Sequence, residues 1–163
     1  MPFFRILECG NACSFLYLQR PCGAMTIKTD VRVIYGDTDA MGQAYHGNYL
    51  QWFEIGRSEW FRHAGLTYKE LEEKGVFLPV VEAHCLYRRP AFYDDLLTVS
   101  TTVQFAGALR LRFDYEISRD GEILTTGYTI HVCVSGDRKV LKPPAYLKAL
   151  IEGGNRVSPD AST

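Results

Sequence analysis

From Thr26 the chain alternates. Ile27, Val31, Val33 and Tyr35 are interleaved with Lys28, Asp30 and Arg32, a period of two that predicts a half-buried strand. A polar, glycine-bearing run, Gly36-Asp37-Thr38-Asp39-Ala40-Met41-Gly42-Gln43, breaks the alternation and predicts a loop. The period then lengthens. Tyr49, Phe53, Gly56 and Trp60 recur at helical spacing, and Leu50, Trp52 and Phe61 widen that face. The spacing predicts a helix over 48–63, opening at Gly47 and Asn48 and stopped by Gly65. A mid-helix glycine costs about 1 kcal/mol relative to Ala, so another backbone is expected to approach Gly56 closely. A short second helix is expected over 68–74, ending at Gly75.

The second half of the chain alternates again. Residues 77–87 read as a strand, with Pro79 near its start and Pro90 after it. Leu97, Val99, Val103 and Phe105 alternate with Thr98, Ser100, Thr102 and Gln104. The clearest alternation sets Leu109, Leu111, Phe113, Tyr115 and Ile117 against Arg110, Arg112, Asp114, Glu116 and Ser118. Asp120-Gly121 is a strong hairpin signal. The strand after it places Leu124, Tyr128, Ile130, Val132 and Val134 on one face, and Pro143-Pro144 opens a short helix ending near Gly153. Five strands and one long apolar helix predict an α+β fold in a single domain. Strands joined by short turns pair antiparallel, and a curved sheet wrapped around the helix would cover its wide apolar face. The domain is expected over 26–152, preceded by an extension over 1–25 that adds little to folding and followed by a polar tail over 153–163.

Composition narrows the function classes. At 163 residues the chain is long enough for one domain with a sizeable core. Lys and Arg number 18 against 19 Asp and Glu, a net charge of -1, which excludes the basic balance of a nucleic-acid binder. No run approaches the roughly 18 apolar residues of a membrane span. A secretory signal is not expected, because Arg5 stands alone and the first apolar runs are short. The five cysteines are odd in number and form no C-x-x-C, so free thiols in a reducing cytoplasm are expected.

The chemistry concentrates between Tyr35 and Tyr49, where a strand end, an acidic loop and a helix start follow one another. A helix start offers unpaired N–H groups and a partial positive charge that can polarise a carbonyl oxygen. A carboxylate a few residues earlier can face the same carbonyl, and Gly42 lets the loop turn back on itself. That arrangement suits hydrolysis of an activated acyl group. In the competing account, Asp37 and Asp39 only cap a turn and His46 is an ordinary loop histidine.

Tyr35, Asp37, Thr38, Asp39, Gly42, Tyr45, His46, Asn48, Tyr49, Phe53, Glu54 and Arg57 resemble the signature of hotdog-fold acyl-CoA thioesterases, the 4-hydroxybenzoyl-CoA thioesterase-like family. The resemblance is greatest to the bacterial branch often associated with the Tol-Pal envelope system. It implies an acyl-CoA thioester hydrolase in which Asp39 is the catalytic carboxylate, as nucleophile or as general base. His46 would sit where a backbone N–H polarises the carbonyl, with an imidazole able to shuttle a proton. Tyr35 would hold the carboxylate or line the acyl pocket. Gly42, Tyr45 and Asn48 would contact substrate. Glu54 is a rival base, against its reading as an ion-pair partner of Arg57 one turn on. Tyr49, Phe53 and Trp60 are expected in the core. Relatives hold the coenzyme A phosphates with basic residues near the turn between the third and fourth strands. Here that turn is Ala106-Gly107-Ala108, leaving Arg110 as the first candidate, with Arg112, Arg88, Arg89 and Lys142 as others.

No metal and no cofactor are implied, coenzyme A being part of the substrate. The expected partners are acyl-CoA and a second copy of the chain in a homodimer or homotetramer, since an open sheet leaves an edge strand. Two other functions compete: a hotdog hydratase or dehydratase, and a non-catalytic acyl-CoA binding module or scaffold.

Overall fold

The computed structural model describes residues 25–154; the expected extension before Met25 and the tail beyond Gly154 lie outside the described residues. In chain order the elements are β1 (Ile27–Arg32), a single 3-10 turn (Tyr35–Asp37), α1 (Asn48–His63), α2 (Tyr68–Glu73), β2 (Val80–Tyr87), β3 (Leu96–Phe105), β4 (Arg110–Arg119), β5 (Glu122–Val134), β6 (Val140–Leu141) and α3 (Ala145–Gly154). The strands form one antiparallel sheet in the order β1-β3-β4-β5-β2, with β6 added to β5. Among the described residues no helix is long and apolar enough to cross a membrane.

The sheet therefore has six strands where the sequence pattern gives five. β6 is two residues long, too short for a period of two to register. It reaches β5 through a tight turn in which Ser135 N–H donates to Lys139 O and Arg138 takes φ 63°. β2 starts at Val80, later than expected, because Pro79 ends the pairing; Phe77 makes only an isolated bridge to Val134. The hairpin between β4 and β5 turns on Asp120 and Gly121, both at positive φ (51° and 82°), as a two-residue turn with this twist requires.

The apolar face of α1 is buried as the spacing requires, with Tyr49, Phe53, Trp60 and Phe61 at 2% exposure or less, while Leu50 points outward. The helix packs against β1 and β3 and less extensively on β4. Gly56 marks the closest approach: a Cβ there would stand 2.4 Å from Thr101 Oγ1 and 2.9 Å from Val99 Cγ1. Side chains of β3, and not a second backbone, occupy the space.

On β5 the residues facing the core are Thr125, Gly127, Thr129, His131 and Cys133, because β4 places Ile117 opposite Thr125, Tyr115 opposite Gly127, Phe113 opposite Thr129 and Leu111 opposite His131. The set Tyr128, Ile130, Val132 and Val134 lies on the other face, and a register shift after Ile117 separates Leu124 from it. Register overrides hydrophobicity here since a one-residue slip would turn every side chain over. Gly127 has its own reason to lack a side chain, as a Cβ would come within 2.3 Å of His84 O and 2.7 Å of the Phe53 ring.

Of the polar members of that inward face, Thr129 and His131 are satisfied by a directional chain of hydrogen bonds, while Thr125 Oγ1 has no hydrogen-bond partner among the described residues. Arg57 donates to Tyr115 Oη (3.2 Å), Tyr115 pairs with Thr129 Oγ1 (2.8 Å), and Thr129 pairs with His131 Nε2 (2.9 Å). His131 Nδ1 lies 2.9 Å from the Leu78 carbonyl, which can only accept, so Nδ1 carries the proton and Nε2 accepts from Thr129. Burial pushes the His131 imidazole down to about 4, so it is neutral in the fold.

β2 is an edge strand and differs from the other long strands. Seven of its eight residues are exposed, and Cys85 is half-buried.

Candidate active site

The chain leaving β1 is anchored before it reaches the acidic loop. Val33 N–H donates to Asp95 O (3.0 Å), and Asp94 N–H donates back to Val33 O (2.9 Å). The Asp37 carboxylate accepts from Ile34 N–H (3.0 Å) and from the Asn48 amide (3.4 Å). Its main-chain carbonyl accepts from the same amide (2.8 Å) and from Tyr45 N–H (2.8 Å). Asp37 is thus the brace between the loop and the first residue of α1. Asn48 serves that brace and does not cap the helix; the residue before it, Gly47, has no side chain to do so.

Asp39 sits at the fold-back. Its N–H donates to Gln43 O (2.9 Å), its carbonyl accepts from Gly42 N–H (2.9 Å), and its Oδ1 accepts from Met41 N–H (2.8 Å). Gly42 takes φ 76°, which the turn demands and glycine supplies without strain. Ala44 N–H then ties the loop to Ala91 O (2.8 Å). The Asp39 side chain is half-buried, and among the described residues no donor reaches its Oδ2. One carboxylate oxygen is fixed by the backbone and the other is left free.

The opening of α1 follows directly. Asn48 N–H donates to Tyr45 O (3.0 Å), whereas the N–H groups of His46 and Gly47 find no acceptor among the described residues. The Tyr45 ring lies against His46, with centroids 4.3 Å apart, and covers Gly47 so closely that a Cβ there would meet Tyr45 Cε1 at 2.8 Å. Tyr35 is 79% exposed, with its ring edge-on to Tyr93 at 5.9 Å; among the described residues no hydrogen bond joins it to Asp39.

The fold gathers Tyr35, Asp39, Gly42, Tyr45, His46 and Asn48 into one loop and helix start. It does not bring Arg110 to them. β3 leaves the 91–95 loop at Leu96 and ends at Phe105, and Arg110 begins β4 beyond that far end. A ten-residue strand separates the two ends, about 30 Å. Of the other basic residues, Arg112 is held by Asp114 at 2.7 Å over the Tyr128 ring, and Arg89 is paired with Glu122 at 2.6 Å. The expected Glu54–Arg57 ion pair is also not formed. Glu54 is exposed, while Arg57 turns inward and donates to Tyr68 Oη (2.7 Å) and Tyr115. Two aromatic hydroxyls inside the core give this cation better-ordered acceptors than an exposed carboxylate does. Among the described residues no three His, Cys, Asp or Glu side chains converge so as to hold a metal ion.

A family profile described as "Thioesterase-like superfamily" matches residues 33–151, from the end of β1 through the acidic loop and into α3. The chain belongs to the thioesterase-like superfamily. The superfamily match includes every candidate residue named above. The chain is 34% identical to a putative acyl-CoA thioesterase, YneP, of Bacillus subtilis (strain 168), over 75% of this chain and 88% of that one. It is 35% identical to the acyl-CoA thioesterase YbgC of Haemophilus influenzae, over 72% and 86%. The fold superposes on the crystal structure of Slr0204, a 1,4-dihydroxy-2-naphthoyl-CoA thioesterase from Synechocystis, with a TM-score of 0.72 and 30% identity, covering 77% of this chain and 95% of that one. The sheet and helices are accordingly a hotdog thioesterase fold.

One residue at the site carried no signal in the sequence. Tyr87, the last residue of β2, donates from Oη to the His46 carbonyl at 2.9 Å, and its ring stands edge-on to Tyr49 at 5.0 Å. Partial burial and then its contact with Cys85 raise the Tyr87 hydroxyl above the usual tyrosine range, so it remains a neutral donor. Only tertiary structure joins positions 46 and 87.

Proposed function

We propose that this chain hydrolyses acyl-CoA thioesters to a carboxylic acid and free coenzyme A, with Asp39 as the reacting carboxylate. The observation that carries the reading is the free Asp39 Oδ2 on a loop braced against a helix start with two unpaired N–H groups. A thioester carbonyl between them would be polarised by the helix end and open to attack. As a base, Asp39 takes a proton from water while the hydroxyl oxygen bonds to the carbonyl carbon. The C–S bond then breaks, and the coenzyme A thiolate leaves and is protonated. As a nucleophile, Asp39 itself bonds to that carbon, expels the thiolate, and water hydrolyses the resulting anhydride. The overall balance is the same.

His46 supplies its main-chain N–H and, from an exposed imidazole, a proton for the leaving thiolate. Tyr35 serves as a wall of the acyl pocket, Tyr45 holds the helix start against it, and Gly42 and Asn48 keep the loop folded back. Arg110 lies at the far end of the sheet, too far to meet substrate at its own chain's Asp39 loop, and any part it takes in holding phosphates requires a second copy. That copy is expected along β2, the long exposed edge. The sheet, completed by its partner, would then wrap α1 as a central helix. A reducing, cytoplasmic setting belongs to the same proposal, on the odd cysteine count and the absence of C-x-x-C in the sequence.

The test is thiol release from a panel of aliphatic and aromatic acyl-CoAs. Asp39→Asn keeps an Oδ1 acceptor for Met41 N–H, so the loop and the melting temperature should be retained. Turnover should fall at least about a hundredfold, the usual scale for losing a positioned base. Robust hydrolysis by that variant would move the reaction to another carboxylate, Glu54 first. No hydrolysis of any thioester by the wild type would leave a binding protein.

A further inference from the structure

The His46–Gly47 peptide is held from both sides. Its carbonyl accepts the Tyr87 hydroxyl, and the Tyr45 ring fills the space where a Gly47 side chain would be. Because a peptide is planar and trans, its C=O and N–H point in opposite directions. Tethering the carbonyl toward β2 aims Gly47 N–H away from β2, and the His46 N–H is likewise without an acceptor among the described residues. Flipping this peptide would exchange the two groups and turn a donor site into an acceptor site. Such a flip rotates ψ of His46 and φ of Gly47 together. Gly47 now has φ −66°, and after a flip its φ would be positive, a region open to glycine and costly for other residues. The glycine that Tyr45 packing requires therefore also makes the peptide free to turn.

We infer that Tyr87 is a positioning residue for thioester hydrolysis: by holding the His46 carbonyl it keeps the His46 and Gly47 N–H groups preorganised as a two-donor site for the developing oxyanion. The inference rests on the thioesterase reading above. Among the described residues Tyr87 makes no hydrogen bond to Asp39, and it comes from a strand separate from the loop that carries Asp39. Its hydroxyl is the only part the argument needs, since the ring contact with Tyr49 survives its removal.

Tyr87→Phe is the direct test, made on the full chain and checked for an unchanged melting curve and molecular mass. It should lower kcat at least about tenfold with KM little changed, less than the hundredfold or more that follows loss of an oxyanion donor itself. A carbonyl stretch measured on acyl-CoA bound to the Asp39→Asn variant should shift to lower frequency than in solution, and Tyr87→Phe should return it toward the solution value. A kcat within twofold of wild type would overturn the inference, as would a bound carbonyl stretch that Tyr87→Phe leaves unchanged. A raised KM with kcat unchanged would make Tyr87 a substrate contact instead. Failure of the wild type to cleave any acyl-CoA would remove the underlying reading and is seen separately, before any variant is compared.

Discussion

At the scale of single residues, the two aspartates of the loop have separable tasks. Asp37 uses both carboxylate oxygens, one on Ile34 N–H and one toward the Asn48 amide. Asp37→Asn must give up one of these contacts, so it should lower the melting temperature by a few degrees and turnover only modestly. Asp39→Asn should do the reverse, and thermal denaturation run beside the thiol assay separates them. Inside the fold, His131 is neutral, with Arg57, Tyr115, Thr129 and the Leu78 carbonyl around its hydrogen-bonded chain. Its value falls from about 6.5 unfolded to about 4 in the fold. The unfolded chain binds the proton first, so stability is full above about 6.5 and is lost as pH drops toward 4, on the order of 3 kcal/mol in all. Denaturant titrations at several pH values should show a shallower acid slope for His131→Gln than for the wild type. Identical slopes would place the acid sensitivity on other groups.

At the scale of elements, α1 shows what periodicity reads well. Its bounds and most of its buried face follow from spacing, because an amphipathic helix writes its environment into its own sequence; Leu50 points outward instead, and the close approach at Gly56 is made by side chains of β3. Gly56→Ala should gain about 1 kcal/mol in helix propensity and lose more by overpacking Thr101 and Val99, which typically costs about 1–3 kcal/mol. A Tm several degrees below wild type is expected by calorimetry; an unchanged Tm would mean that β3 yields easily. β5 shows where the same reasoning stops. Its core-facing Gly127, Thr129 and His131 look like a solvent face until the register with β4 and the Phe53 ring are known. The candidate site divides in the same way. The loop from Tyr35 to Asn48 is contiguous, so its turn chemistry and helix start can be read locally. Tyr87 and the Ala91 carbonyl arrive from elsewhere in the chain, and the remoteness of Arg110 from Asp39 is a property of strand length and pairing.

At the scale of the whole molecule, the sheet is closed over on β1 and β3 by α1 and left open along β2. An eight-residue strand whose outer edge is unpaired among the described residues, with Val80, Val81, Leu86 and Tyr87 exposed, is an invitation to pair. Light scattering at micromolar concentration should give a dimer or a multiple of one, and a monomeric mass would refute the assembly proposed here. The acidic loop has one more consequence. Its shape is set by main-chain hydrogen bonds and by Asp37, Asp39 and Asn48, whereas Tyr35, Met41 and Tyr93 beside it are 79%, 75% and 60% exposed. These side chains are anchored in neither the core nor the brace. In evolutionary terms the frame is what descendants must inherit, and the rim is free to vary. With Tyr35 walling the acyl pocket as proposed, a lineage could move from one acyl group to another by changing the rim alone, without renegotiating how the chain folds.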